Sequence, residues 1–212
     1  KLNKTKNIFF FGKNYKIKNL NSKNFEFQFN KNKKIINLPS LNGLHQIENA
    51  SIALAFAEVM QKKEYKFNFN KTNNAIKKTS WPGRLEIIKF YNKKIILDGS
   101  HNIDGAKKLN KFLKLKKLKP IVLFGMLNNK KIYLFLKTIK KQIKSLIAIK
   151  IPDEKNAFLT NEIGRKCDLL SINYSKTKNI NEALKIIKAS DQKIFLITGS
   201  LYLVGKIRTK FL

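Results

Sequence analysis

Apolar and polar residues alternate in one way before about residue 80 and in another way after it. Short apolar runs separated by Asn, Lys and Gly occupy the first 40 residues, and residues 25–29 read Phe-Glu-Phe-Gln-Phe. Strict alternation is typical of an antiparallel strand with one buried face. Residues 50–60 are small or apolar on nearly every face, which predicts a buried helix, and residues 71–78 predict a weaker one. The first part of the chain is therefore predicted to be β-rich and then helical.

Trp81-Pro82-Gly83-Arg84 interrupts this pattern and is the predicted domain boundary. Beyond it, apolar runs of strand length alternate with amphipathic segments of helix length. The predicted strands are residues 85–89, 95–97, 121–124, 146–149 and 194–198, and the predicted helices are 104–116, 130–141, 161–170, 181–189 and 201–211. Strands joined by helices imply crossover connections, so we expect an α/β fold with a Rossmann-like, mostly parallel sheet flanked by helices.

The composition is that of a folded protein of the reducing cytoplasm. Hydrophobic residues make up 43% of the 212 residues, which is enough for a core. Cys167 is the single cysteine, so no internal disulfide can form. No apolar run approaches the roughly 18 residues that a membrane span needs. We expect a cytoplasmic protein that does not associate with a membrane.

The formal net charge of +32 raises the alternative of a basic nucleic-acid-binding module. The lysines, however, are spread along the whole chain. They accompany many Asn, Ile and Phe residues, which A/T-rich codons specify. We therefore favour an effect of genome composition and expect no specific nucleic-acid partner. Such a surface still attracts anionic substrates.

A polar turn after a buried strand is the strongest candidate for chemistry. The run 95–97 ends in Asp98-Gly99-Ser100-His101-Asn102, and a helical pattern follows. Ligands of open α/β sheets sit at the carboxyl ends of strands, where helix N-termini offer free N–H groups. Asp98 and His101 would then face a ligand. The alternative, that Asp98 only caps the helix and His101 is a solvated loop residue, is equally open on spacing alone.

Several familiar sites are excluded. The segment from Gly199 to Ile207 is too long between its glycines for a phosphate-binding loop, and it has Ile207 where Ser or Thr is required. No GxGxxG motif is present, and no Cys/His cluster has zinc spacing. With two histidines in the chain, His45 and His101, no Ser-His-Asp triad can be argued.

Two further polar positions precede or follow well-defined elements. Asn49 lies in the first turn of a predicted helix, where an Asn is often a cap. Arg84 lies at the predicted boundary, where it is either a surface charge or a planar donor suited to phosphate.

Five segments, taken in order, resemble the folylpolyglutamate synthases and dihydrofolate synthases of the Mur ligase superfamily. They are residues 41–55, 81–86, 96–102, 124–130 and 198–205, so the resemblance runs from about residue 41 to the C-terminus. It implies that residues 1–80 are the C-terminal part of a central ATPase domain. Residues 81–212 would be the Mur ligase C-terminal α/β domain, with the segment near Trp81 as a hinge.

The resemblance also implies a reaction and its partners. ATP phosphorylates a carboxylate of folate or dihydropteroate, L-glutamate attacks the acyl phosphate, and an amide is formed. The phosphate loop and the Mg²⁺ ligands would precede Lys1, so the chain would be inactive alone, with no catalytic or metal-binding residue of its own. We expect the parent enzyme to be a monomer.

The site residues carried over from the resemblance bind ATP. Asn49 would contact adenine, Arg84 a phosphate and Asp98 the ribose or nucleotide side, and His101 would lie beside the phosphates. Supporting contacts are expected from His45, Gln46, Ser100 and Asn102. We expect the four principal residues to converge on one cleft. The alternatives are a peptidoglycan Mur ligase, the basic nucleic-acid-binding module, and a remnant of a decayed gene.

Overall fold

The computed structural model describes residues 8–63 and 65–211. The chain divides into two compact units, Lys1–Ser80 and Trp81–Leu212. Each unit is described by itself below.

The first unit is built on a three-stranded antiparallel sheet with β2 in the middle. Its strands are β1 (Tyr15–Asn19), β2 (Asn24–Phe29) and β3 (Asn32–Asn37). The three phenylalanines of β2, at positions 25, 27 and 29, are buried on one face, while the Glu and Gln between them are half-buried on the other. The prediction of a half-buried strand from alternation is confirmed. The apolar run at residues 8–11 forms no strand, and only Phe11 makes a single bridge there, to Tyr15.

Two helices complete this unit, α1 (His45–Gln61) and α2 (Phe69–Lys78). α1 begins five residues earlier than the pattern predicted and lies on the sheet through Ile47, Leu54 and Ala55. The prediction that α1 is buried on nearly every face is wrong for the described part of the chain. A three-stranded sheet covers one side of a helix, so Ile52 and Phe56 are 57% and 62% exposed.

The second unit is a six-stranded sheet in the order β4-β5-β9-β6-β7-β8. Its strands are β4 (Glu86–Phe90), β5 (Lys93–Asp98), β6 (Ile121–Phe124), β7 (Ser145–Ala148), β8 (Tyr174–Lys176) and β9 (Ile194–Thr198). Its helices are α3 (Ile103–Leu115), α4 (Ile132–Ile139), α5 (Thr160–Leu169), α6 (Ile180–Ala189) and α7 (Leu201–Arg208). β4 runs antiparallel to β5, and the remaining pairs are parallel. The predicted mostly parallel α/β fold is confirmed.

Helices cover both faces of this sheet. On one face α3, α4 and α5 pack on residues such as Ile96 and Val122. On the other, α6 and α7 pack on residues such as Ile95, Leu97 and Leu123. Neighbouring strand residues point to opposite faces, so a strand buried on both sides must be apolar throughout. None of the helices in the described part of the chain is long and apolar enough to cross a bilayer.

Candidate functional site

The candidate site of the second unit lies where three central strands end together. Asp98 at the end of β5 and Phe124 at the end of β6 both pair in register with Thr198, the last residue of β9. The turn after β5 is tied to the turn after β9, because the Gly199 amide donates to the Ser100 carbonyl at 3.1 Å. The carboxyl edge of the sheet therefore places these turns side by side, as the sequence predicted.

Asp98 organises the turn in which it lies. Its side chain is 5% exposed. One carboxylate oxygen accepts from the Leu85 amide at 3.1 Å and the other from the Ser100 amide at 3.1 Å. Burial raises the pKa of Asp98 above its ordinary value, against the lowering effect of the Ser100 and Leu85 hydrogen bonds and of the nearby Arg84 charge. The carboxylate thus joins the start of β4 to the end of β5.

Arg84 sits between two residues with left-handed backbone conformations. Gly83 has φ 72° and Leu85 has φ 48°. The amides on both sides of Arg84 are held by carboxylates: that of Gly83 donates to Glu86 Oε2 at 2.8 Å, and that of Leu85 to Asp98. A left-handed non-glycine residue is uncommon and persists where its surroundings enforce it. The backbone that carries Arg84 is therefore tightly determined.

The Arg84 guanidinium itself is available to an anion. Its Cζ lies 5.9 Å from the centroid of the exposed Trp81 ring. Within residues 8–63 and 65–211, no carboxylate forms an ion pair with it. A half-buried guanidinium that forms no ion pair among the described residues is suited to bind phosphate oxygens through its planar donors.

His101 presents one ring nitrogen to the same edge of the sheet. Its Nδ1 lies 3.0 Å from the Gly99 carbonyl oxygen, so Nδ1 carries the proton and donates to that oxygen. This contact fixes the ring orientation and makes Nε2 the atom that can meet a ligand. The ring is half-buried.

Asp98 is not the residue that caps α3. The side chain of Asn102 is the N-cap of α3, where its oxygen accepts from the Gly105 amide at 2.8 Å. The alternative in which Asp98 only caps this helix is therefore wrong. Ser100 contributes its backbone to the turn, and its side chain hydrogen-bonds Asp98.

The remaining candidates lie together in the first unit, at the start of α1. The side-chain amide of Asn49 donates to Gln46 Oε1 at 2.9 Å, and Gln46 Nε2 lies 3.2 Å from His45 Nε2. Gln46 is buried, whereas Asn49 is exposed. Asn49 is the fifth residue of α1, and the N-cap is Leu44, so the alternative of Asn49 as a cap is wrong.

Two residues of the site were not singled out from the sequence. Glu86 accepts from the Gly83 amide and is bound by Arg208 of α7. The position of Glu86, two residues after Arg84, offered a weak signal. Arg208 offered none, because it is 122 residues away from Glu86 along the chain.

Comparison with known proteins identifies the family. The model of the Mur ligase glutamate ligase domain matches residues 83–201, which is more than half of the chain. The chain belongs to the Mur ligase family. Arg84, Asp98 and His101 lie inside the matched segment, and Asn49 lies outside it.

Individual relatives of this Mur ligase chain support the resemblance. A dihydrofolate synthase/folylpolyglutamate synthase of Bacillus subtilis is 28% identical over 191 residues, covering 88% of this chain and 44% of its own. A folylpolyglutamate synthase of Thermotoga maritima aligns with TM-score 0.76 at 25% identity, covering 95% and 47% of the two chains. That of Mycobacterium tuberculosis, complexed with ADP, aligns with TM-score 0.80 at 19% identity, covering 95% and 48%. The chain spans less than half of each relative.

The described residues of the Mur ligase chain include a guanidinium without an ion pair but no cluster of metal ligands. Among them, no group of three or more His, Cys, Asp or Glu residues is arranged to hold a metal. The Asp98 carboxylate is buried and engaged by backbone amides, while Arg84 offers guanidinium donors and the Nδ1–H of His101 is already donated to the Gly99 carbonyl.

Proposed function

We propose that this chain is part of an ATP-dependent ligase that joins L-glutamate to a carboxylate of folate or dihydropteroate. The carboxylate would take the terminal phosphoryl group of ATP and release ADP. The amine of glutamate would then displace phosphate from the acyl phosphate, forming an amide. The relatives named above support this assignment, because they are folylpolyglutamate and dihydrofolate synthases.

The observation that carries the proposal is the Arg84 turn. An arginine that forms no ion pair among the described residues is held between two left-handed residues whose amides are bound by carboxylates. It lies in the segment that matches the Mur ligase domain, next to the carboxyl ends of the central strands. Such rigidity favours a role in which the guanidinium must meet a phosphate in one orientation.

Each candidate residue has a distinct proposed role. Arg84 contacts a phosphate, and Nε2 of His101 lies beside the phosphates. Asp98 serves the nucleotide side mainly by fixing the turn, since both of its oxygens already accept backbone amides. Asn49 contacts adenine, with Gln46 and His45 holding its side chain.

We also propose the setting in which the parent enzyme works. It would be a cytoplasmic monomer, and a divalent cation, Mg²⁺ in the cell, would accompany ATP. A related synthase of Yersinia pestis is described as complexed with AMPPNP and Mn ion, which supports a metal requirement. This chain would contribute to ATP binding and supply no metal ligand.

The test is ADP release by the complete gene product, with dihydropteroate or a folate as acceptor. Release should require both the acceptor and L-glutamate. Arg84→Ala should raise the KM for ATP roughly 10- to 150-fold, because a hydrogen bond to a charged group contributes about 1.5–3 kcal/mol. Arg165→Ala, which removes an exposed arginine of α5, is the matched control and should leave the KM unchanged. ADP release that ignores the acceptor would refute the proposal.

A second candidate is a ligase of peptidoglycan precursors, because the matched domain is common to the Mur ligase family. Replacing the folate acceptor with a nucleotide-linked peptidoglycan precursor in the same assay separates the two. A nucleic-acid-binding role, suggested by the net charge of +32, would instead show steeply salt-dependent binding to random duplex DNA.

A further inference from the structure

An ion pair between Glu86 and Arg208 packs against the turn that carries Arg84. Nε of Arg208 lies 3.0 Å from both carboxylate oxygens of Glu86. The same carboxylate accepts from the Gly83 amide at 2.8 Å. Both side chains are largely shielded, with 22% of Glu86 and 29% of Arg208 exposed. Glu86 therefore links the last turn of α7 to the residue that precedes Arg84.

One face of α7 follows this turn along its length. Leu201 packs against Gly99, where an added Cβ would overlap its side chain. A Cβ added to Gly83 would come within 2.8 Å of Val204 Cγ1. Positions 201, 204 and 208 are spaced by three and four residues, so they share one helix face. Gly83 and Gly99 permit this close approach, and the Glu86–Arg208 ion pair joins the turn to the C-terminal end of α7.

We propose that Glu86 and Arg208 are positioning residues that hold Arg84 in the orientation required for a nucleotide phosphate. This rests on the proposed function of Arg84 as a phosphate contact. Glu86 fixes the Gly83 amide, Asp98 fixes the Leu85 amide, and Arg208 fixes Glu86. Neither Glu86 nor Arg208 needs to touch the nucleotide.

A purely structural ion pair would behave differently from a positioning pair. Loss of a structural pair lowers the melting temperature and affects all substrates alike. Loss of a positioning pair displaces Arg84 and weakens ATP binding selectively. A shift of about 1 Å at a binding group can reduce the rate or affinity up to about 100-fold. The KM values for ATP and glutamate, measured with the melting temperature, therefore separate the two roles.

The experiment uses the complete gene product and the variants Glu86→Ala, Glu86→Gln and Arg208→Met. We expect Glu86→Ala and Arg208→Met to raise the KM for ATP roughly tenfold while the KM for glutamate changes little. Glu86→Gln keeps an oxygen for the Gly83 amide and should lie within about threefold of wild type. Asp153→Ala is the matched control, because it removes the ion-pair partner of Lys206, which lies on α7 together with Arg208.

A double-mutant cycle with Arg84→Ala completes the test. If Glu86 acts through Arg84, adding Glu86→Ala to Arg84→Ala weakens ATP binding no further. Equal losses with and without Arg84 would overturn the positioning role. If Arg84→Ala weakens ATP binding while Glu86→Ala and Arg208→Met leave ATP binding unchanged, the positioning role fails and the proposed function stands. If Arg84→Ala itself leaves ATP unaffected, both fail. Should Glu86→Ala not fold, Arg208→Met carries the same cycle.

Discussion

Asp98 combines burial with a fixed pattern of hydrogen bonds. Two backbone amides, of Leu85 just before β4 and of Ser100 just after β5, converge on its carboxylate, and the side chain is almost fully enclosed. The sequence placed this residue at a strand end, but it left open whether the carboxylate meets a ligand or the backbone. The partner Leu85 lies 13 residues away, just before β4, and is brought to Asp98 by the pairing of β4 with β5, which spacing alone does not specify.

At this residue we predict a pH-dependent stability difference between the wild type and Asp98→Asn. Because the pKa of Asp98 is raised by folding, the unfolded chain loses this proton first as the pH rises. Its contribution to stability is full below the ordinary pKa of about 3.9 and is lost as the pH passes the raised value. The asparagine of the variant cannot titrate and leaves one amide poorly paired, which costs about 1–3 kcal/mol.

Thermal melting of both proteins between pH 4 and pH 8 measures this difference. The advantage of the wild type should be largest near the acid end and should narrow as the pH rises. An advantage that widens toward pH 8 would contradict the raised pKa.

At the scale of elements, the end of a strand and the start of a helix share one short turn. Asn102 caps α3 three residues before the amide it binds, directly after His101. The same residue was a candidate for supporting ATP. Capping and ligand contact predict different responses to substitution, because a serine replaces the cap and not the amide side chain.

We predict that Asn102→Ala destabilises the protein by about 1 kcal/mol, while Asn102→Ser retains most of the stability. Urea denaturation gives both values. If Asn102 acts only as a cap, the KM for ATP stays at the wild-type value in Asn102→Ser. A KM that rises in Asn102→Ser without a loss of stability would show a direct role for the amide.

The pattern of apolar residues was sufficient to predict the bounds of strands that are covered on both faces. β6 and β9 begin and end at the predicted residues, because central parallel strands are apolar throughout. β8 was missed, since its three residues Tyr-Ser-Lys carry no alternation and become a strand only by pairing with β7. α1 was predicted to be buried on nearly every face because its residues 50–60 are small or apolar nearly all round. Its composition does not reveal which faces the described chain covers.

The candidate site divides in a similar way. Asp98, His101 and Arg84 were recognisable because each lies beside a turn at the end of a predicted element. Glu86 and Arg208 were not, because their roles depend on how α7 packs against the turn at Gly83. Contacts between distant segments of the chain are set by tertiary packing, which local sequence does not encode.

At the scale of the whole molecule, the excess of positive charge is the dominant feature. The chain carries 45 basic and 13 acidic residues. Within the described residues the acidic side chains form five ion pairs with lysine or arginine. Most basic side chains of the described residues therefore have no ion-pair partner, and such an excess of positive charge destabilises the compact state by self-repulsion.

We predict that salt stabilises the complete gene product. Raising NaCl from about 20 mM to about 200 mM shortens the screening length from roughly 20 Å to roughly 7 Å, so the melting temperature should rise by several degrees. KCl at the same ionic strength is the control and should give the same rise, since screening does not depend on the identity of the monovalent cation. A fall in melting temperature would show that attractive ion pairs dominate.

The position of β9 has a consequence for how the second unit is made on the ribosome. β9 is its last strand in sequence, yet it lies between β5 and β6 in the sheet. Until β9 emerges, the β4–β5 hairpin and the β6–β7–β8 segment lack their common neighbour, and long-range parallel pairing of this kind is slow to form. The turn at Asp98 is thus translated early, but its hydrogen bond from the Gly199 amide can form only after the final strand has been synthesised.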